Sequence, residues 1–240
     1  KSNNIQNTIS LKNTYNRLDI AKNNDIYLSD FSNGALIIKD NKTFQLTTNN
    51  GLPTNQIFNL TFDNENNLWL GFSGFGASQL IAAKFKSFDK DFGIQSNQVQ
   101  TVCMDSKGQL WVGTTSAVDI IKLSNSSFEK TIKKLNDFVV LDYKKIYHII
   151  EDKNSFIWIA TDNGVFLIDE NFKLFKHFTT ENGISNNETR SISEDIEGNI
   201  WLVSLKNGIT KINSNKDGNF TIIPYFKKDG LCSDNFWTVY

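Results

Sequence analysis

Two cysteines, two prolines, two histidines and two arginines are all that this chain of 240 residues contains of those four types. Cys103 and Cys232 are too few for a disulfide framework, and neither sits in a CxxC or metal-ligand spacing. His148 alternates with apolar neighbours and His177 lies between Lys176 and Phe178, so spacing offers no His pair and no His–Cys dyad. A G-x-S-x-G nucleophile elbow is absent as well. Arg17 and Arg190 stand alone among scattered lysines, and 25 basic against 26 acidic residues leave a net charge of -1. Phosphate recognition needs clustered cations, so a nucleic-acid partner is not expected. No apolar run nears the roughly 18 residues that cross a bilayer, and no membrane contact by this segment is expected. The scarcity of proline argues against a disordered linker.

What the chain has is a repeat. The strings FDNENNLWLGF (62–72), MDSKGQLWVGT (104–114), EDKNSFIWIAT (151–161) and EDIEGNIWLVS (194–204) align without a gap. They place Trp69, Trp111, Trp158 and Trp201 at nearly equal intervals. A fifth copy, IAKNNDIYLSD (20–30), carries Tyr27 in the Trp position and Ala21 in place of the aspartate. Each copy follows an alternating segment with the period of two expected of a strand, and is itself followed by two further apolar or aromatic segments. Four strands per unit of about 42 to 47 residues is the sequence signature of propeller blades. WD40 and kelch repeats share this period or strand count, but their Gly-His, Trp-Asp and Gly-Gly signatures are missing. The expectation is an all-β propeller of four-stranded antiparallel blades, with blades at roughly 14–50, 51–92, 93–140, 141–182 and 183–227, and partial blades at 1–13 and 228–240.

The recurring residues admit two readings each. Trp69, Trp111, Trp158 and Trp201 could stack a sugar, but aliphatic neighbours on both sides favour packing between blades. Asp63, Asp105, Asp152 and Asp195, six residues earlier, open tight turns whose backbone N–H groups a carboxylate can cap. A rim of four such carboxylates as a cation site is the rival, although calcium wants six to eight converging oxygens; no metal and no cofactor is expected. The glycines at 51, 93, 183 and 230 are expected at positive φ in the turns between blades.

In a propeller the loops entering each first strand crowd one end of the central channel. That would gather Asn55, Gln56, Asn97, Gln98, Lys145 and Glu188 around a funnel, with Phe58, Gln100, Tyr147 and Arg190 a little deeper. Amides, a few charges and aromatics suit a neutral polyhydroxylated ligand, against the alternative of a merely solvated rim. Glu188 with Arg190 or Tyr147 is the single acid–base combination that a propeller lyase or hydrolase could draw on.

The segment GLPTNQIFNLTFDNENNLWLGF (51–72) resembles the two-component regulator propeller repeat, whose pattern runs G-L-P-x-N-x-I, an alternating strand, then D-x-x-G-x-L-W-x-G-T. Only the copy at 51–57 keeps the full Gly-Leu-Pro-x-Asn; the linker before Ile146 has lost its glycine, and the first unit lacks the Trp. The resemblance implies an extracytoplasmic, periplasmic sensor region of hybrid two-component proteins of the Bacteroidetes type. Its partners would be an oligosaccharide ligand, further blades and signalling domains of the parent chain, and a second copy in a homodimer. Histidine kinase activity would then reside outside this segment, which is itself expected to be no enzyme. The start at Lys1, without Met or signal peptide, carries the expectation of a piece of a longer protein. A free-standing propeller enzyme and a protein-interaction scaffold are the alternatives.

Overall fold

The computed structural model describes residues 13–81, 84–115, 117–123, 130–205, 207–214, 219–236 and 238–239. Twenty strands form five separate four-stranded antiparallel sheets, each a simple meander in chain order. Blade 1 holds β1 (Arg17–Ile20), β2 (Ile26–Asp30), β3 (Gly34–Lys39) and β4 (Lys42–Leu46); blade 2 holds β5 (Ile57–Phe62), β6 (Leu68–Phe72), β7 (Gly76–Ile81) and β8 (Lys84–Phe88). Blade 3 runs through β9 (Val99–Met104), β10 (Gln109–Thr114), β11 (Val118–Leu123) and β12 (Lys130–Lys134). Blade 4 comprises β13 (Ile146–Glu151), β14 (Ile157–Thr161), β15 (Gly164–Ile168) and β16 (Leu174–Phe178), and blade 5 comprises β17 (Thr189–Glu194), β18 (Asn199–Ser204), β19 (Ile209–Ser214) and β20 (Phe220–Tyr225). The first strands β1, β5, β9, β13 and β17 contact one another in sequence, which is the inner wall of a propeller. The partial blade expected at 1–13 lies almost wholly outside the described residues.

Burial explains why the repeat recurs. A sheet with two apolar faces must be covered on both, and each cluster of buried side chains lies between two successive blades. Trp111, Val118 and Ile120 of blade 3 pack with Ile146, Ile157 and Phe166 of blade 4, and Trp69 and Trp158 occupy the matching places one blade earlier and later. Trp69, Trp111 and Trp158 are 0–1% exposed, so the packing reading holds. No sixth sheet follows blade 5 among the described residues, and Trp201 is accordingly only half-buried, stacked on Tyr225.

A buried indole N–H needs an acceptor, and the aspartate six residues earlier supplies it. Trp69, Trp111, Trp158 and Trp201 donate from Nε1 to Oδ2 of Asp63, Asp105, Asp152 and Asp195 at 2.8–2.9 Å. The other carboxylate oxygen accepts two backbone N–H groups of its own turn, as Asp105 does from Lys107 and Gln109. The third turn residue, Asn66, Gly108, Ser155 or Gly198, adopts positive φ in each case. Hydrogen bonds from Asn199 and then Trp201 hold the carboxyl of Asp195 far below the usual carboxylate range. Each aspartate is therefore a clasp between turn and core, and no group of three or more metal-ligating side chains converges among the described residues.

The turns between blades are also built alike. Thr48–Asn50 and Thr180–Asn182 are single 3-10 turns ended by Gly51 and Gly183 at φ 96° and 107°, a backbone region that glycine alone enters without strain. Gly93 and Gly230 are likewise left-handed, as expected. Leu52, Ile94 and Ile184 then plug the seam. Before Ile146 the corresponding turn, Leu135–Asp137, ends in Phe138 rather than glycine, and a longer linker follows.

Candidate functional site

One local irregularity aims the inner wall at the channel. In blades 2 to 5 the pairing of first and second strands skips one residue: the register shifts between Ile57 and Asn59, Val99 and Thr101, Ile146 and His148, and Thr189 and Ser191. The residues passed over are Phe58, Gln100, Tyr147 and Arg190. A bulged residue leaves the ladder and redirects its side chain, and all four line one cavity of about 580 Å³. Asn16, eleven residues before Tyr27 as each of the others is before its Trp, completes the set from blade 1. Thr14, Tyr15, Arg17, Phe31 and Thr238 close the wall.

The residue after three of the four bulges bonds to the next segment and stitches the wall together. Thr101 Oγ1 accepts from the backbone N–H of Ile149, His148 Nδ1 from Ile192, and Ser191 Oγ from Val239, at 3.1–3.4 Å. First strands of neighbouring blades form no ladder, so a side chain provides the bond across the seam. The last contact shows the segment after Gly230 running beside β17 where the first strand of a further blade would run. Burial of the His148 ring, with Arg17 nearby, holds its pKa well below that of ordinary histidine.

Tyr147, Glu188 and Arg190 form a connected cluster. The Arg190 guanidinium lies 4.0 Å from the Tyr147 ring centroid and is ion-paired with Glu188, whose Oε1 also accepts from the Tyr147 hydroxyl at 3.2 Å. Desolvation pushes the Tyr147 hydroxyl up to about 12, against the opposing pull of Arg190. At neutral pH Tyr147 is therefore a hydrogen-bond donor. Arg17 donates to Thr238 Oγ1 at 3.2 Å and to the Arg190 carbonyl at 3.3 Å, so it reaches from blade 1 to blade 5. Phe31 and Phe58 meet edge to face at 4.9 Å and give the cavity an aromatic side.

The expected funnel residues divide into two groups. Phe58, Gln100, Tyr147 and Arg190 share the cavity, with Glu188 at its edge. Asn55 and Asn97 instead accept, through Oδ1, the backbone N–H groups of Thr48 and Lys90 at 2.8 Å, capping their own loops. Their carbonyls accept from Gly34 and Gly76 of the preceding blade. Gln56, Gln98 and Lys145 are exposed rim residues outside the cavity wall, and Gln98 accepts from Ser73 Oγ at 3.3 Å. Sequence reasoning passed over Asn16, Arg17 and Phe31. The register alone could have found Asn16, but Arg17 and Phe31 join the site only because the ring curves. His177 is bound to the Asn163 carbonyl at 2.7 Å and stacked on Phe166, away from the channel. Burial pushes the Cys103 thiol up to about 12, which leaves it unreactive.

The family model described as two component regulator propeller matches residues 51–74, 93–116 and 141–163, in each case the approach to the first strand, the bulged first strand and the whole Trp strand. These three segments are similar to two component regulator propeller repeats. Among solved structures, the chain resembles the extracellular domain of a protein assigned as a hybrid two component system from B. thetaiotaomicron, with 21% identity and a TM-score of 0.59 over 94% of this chain. It spans 36% of that domain. A virginiamycin B lyase from Staphylococcus aureus, in a catalytically inactive form with quinupristin, superposes with a TM-score of 0.68 at 15% identity, covering 97% of this chain and 80% of the lyase. A gluconolactonase from Xanthomonas campestris follows at 0.61 and 10%, covering 79% and 69%. At such identities these likenesses establish the shared propeller fold. Among curated protein sequences none matches the chain.

Proposed function

We propose that this chain is a ligand-binding sensory module of a two-component signalling protein, placed outside the cytoplasm, and that it reads a saccharide in the central cavity. The observation that carries this reading is the convergence of five side chains from five blades, Asn16, Phe58, Gln100, Tyr147 and Arg190, on one cavity. Aromatic faces beside amide and guanidinium donors are what a polyhydroxylated ring needs, since its C–H faces stack while its hydroxyls take directed hydrogen bonds. The repeats, and the likeness to an extracellular domain of a hybrid two component system, support the sensory context. No helix among the described residues is long and apolar enough to cross a membrane.

The chemistry of the cluster favours binding over turnover. Glu188 is engaged by Arg190 and Tyr147 together, and the hydroxyl of Tyr147 stays protonated near neutrality. A general base works best with a pKa near the operating pH, and the Tyr147 hydroxyl, pushed up to about 12, is not poised for that. Calorimetric titration with a panel of oligosaccharides tests the proposal. Phe58→Ala and Gln100→Ala should each weaken binding at least tenfold while changing stability by no more than about 0.5–1 kcal/mol, because both side chains project from the sheet. An affinity unchanged by both substitutions would refute the cavity as the site, and product formation from any bound glycan would shift the reading to an enzyme.

A further inference from the structure

Exposure falls along the inner wall from the loop end inward. On the segments that lead into and form β5, β9 and β13, the rim residues Gln56, Gln98 and Lys145 are exposed, and Phe58, Gln100 and Tyr147 two positions on are half-buried. Leu60, Val102 and Ile149, two positions further, are 1–4% exposed. The cavity therefore opens toward the loops and runs into core beneath. Phe31 and Phe58 stand at different depths of its wall. Phe58 belongs to the half-buried level, whereas Phe31 comes from the β2–β3 turn, fixed at the loop end by the Gly34 N–H on the Asn55 carbonyl, and is 47% exposed.

Their ring planes are 67° apart, with centroids 4.9 Å from each other. A sugar ring stacks by laying its C–H face flat on an aromatic face, so one ring cannot use both. Two consecutive units of a chain can, because the glycosidic bond turns one relative to the other. The volume of about 580 Å³ also exceeds a single sugar ring and lies among pockets that take drug-sized ligands.

The polar groups single out the inner position. Asn16 donates its amide to the Phe58 carbonyl at 2.7 Å, and Tyr147 and Arg190 are both engaged by Glu188. The Gln100 side-chain amide, at the level of Phe58 and one blade on, meets no protein partner among the described residues and keeps two donors and an acceptor for a ligand.

Building on the saccharide reading above, we infer that the cavity is a two-unit site for a saccharide chain, with an inner unit packed on Phe58 and bonded by Gln100 and the next unit packed on Phe31 at the mouth. The ligand is then an oligosaccharide rather than a free monosaccharide, and Phe31 is the residue that makes the distinction.

Calorimetric titration with length series tests this: glucose, cellobiose and cellotriose, with the corresponding xylose- and mannose-based series beside them. In the series that binds, the disaccharide should bind roughly tenfold or more tighter than the monosaccharide, and a third unit should add less than the second did. Phe31→Ala should cancel most of the gain from the second unit and leave monosaccharide affinity unchanged, while Phe31→Trp, which keeps an aromatic face, should retain the gain; melting temperatures check that both variants stay folded. Gln100→Ala should weaken every length alike. Equal affinity for one unit and two, or a Phe31→Ala loss that is the same at both lengths, would overturn the inference and leave the saccharide reading standing. No binding by any member of the three series would overturn both.

Discussion

The tryptophan position and the position eleven residues before it, bulged in blades 2 to 5, obey opposite rules. The first is Trp in four blades out of five, with an aspartate clasp at a constant distance. The second is a different residue each time: Asn16, Phe58, Gln100, Tyr147 and Arg190. The difference follows from what surrounds each. A side chain between two blades meets the same walls at each interface, so the same shape and the same buried N–H recur. A bulged side chain has left its sheet and faces the channel, where no repeated wall fixes its shape.

Blade 1 shows that the clasp is a pair. Where Trp becomes Tyr27, the aspartate becomes Ala21, so donor and acceptor are lost together and no buried carboxylate is stranded. The turn itself persists, since Asn24 donates its backbone N–H to Ala21 and keeps positive φ, as Asn66 does toward Asp63.

The largest expected effect is at the repeated position. Trp111→Ala should destabilise the fold by about 3–5 kcal/mol in urea unfolding, and the half-buried Trp201→Ala by clearly less; equal losses would contradict packing between blades as the cause. Asp105→Ala leaves the Trp111 indole N–H and turn N–H groups without their acceptor and should destabilise by about 2 kcal/mol or more, seen as a lower denaturation midpoint at unchanged slope. Installing the pair in blade 1 sharpens the comparison: Ala21→Asp alone should destabilise, and Ala21→Asp with Tyr27→Trp should recover a coupling of about 1 kcal/mol in a double-mutant cycle. Additive effects would mean that the clasp does not form there.

The smallest effect concerns pH. His148 binds its proton more weakly folded than unfolded, so below the ordinary histidine pKa of 6.5 the unfolded chain takes up a proton that the native one does not, and stability falls as pH drops. Melting temperatures between pH 7.5 and 5 should decline, and His148→Gln, which can still accept from Ile192, should flatten part of that slope. An identical slope would place the sensitivity elsewhere.

Much of the architecture was legible without coordinates. The spacing of tryptophans, the period-two segments and the glycine turns define five four-stranded blades, because each of those signals is local and repeats. The caps at Asp63, Asp105, Asp152 and Asp195 were legible too, although their bond to the indole was not. Its signs were the constant spacing of six and the joint change to Ala21 and Tyr27. The site was legible in half: Phe58, Gln100, Tyr147 and Arg190 follow from their place in the first strands, but nothing local separates them from Asn55 and Asn97, whose amides turn back on their own loops.

What the residues determined by themselves is therefore the blade, a unit whose burial pattern and turn chemistry lie within about 45 consecutive positions. Only the tertiary structure decided the cavity, because its wall takes one residue from each of blades 2 to 5, several from blade 1, and Thr238 from the other end of the described chain. Arg17 and Arg190, 173 positions apart, become neighbours through the curvature that successive seams accumulate, and no property of either segment alone contains that curvature.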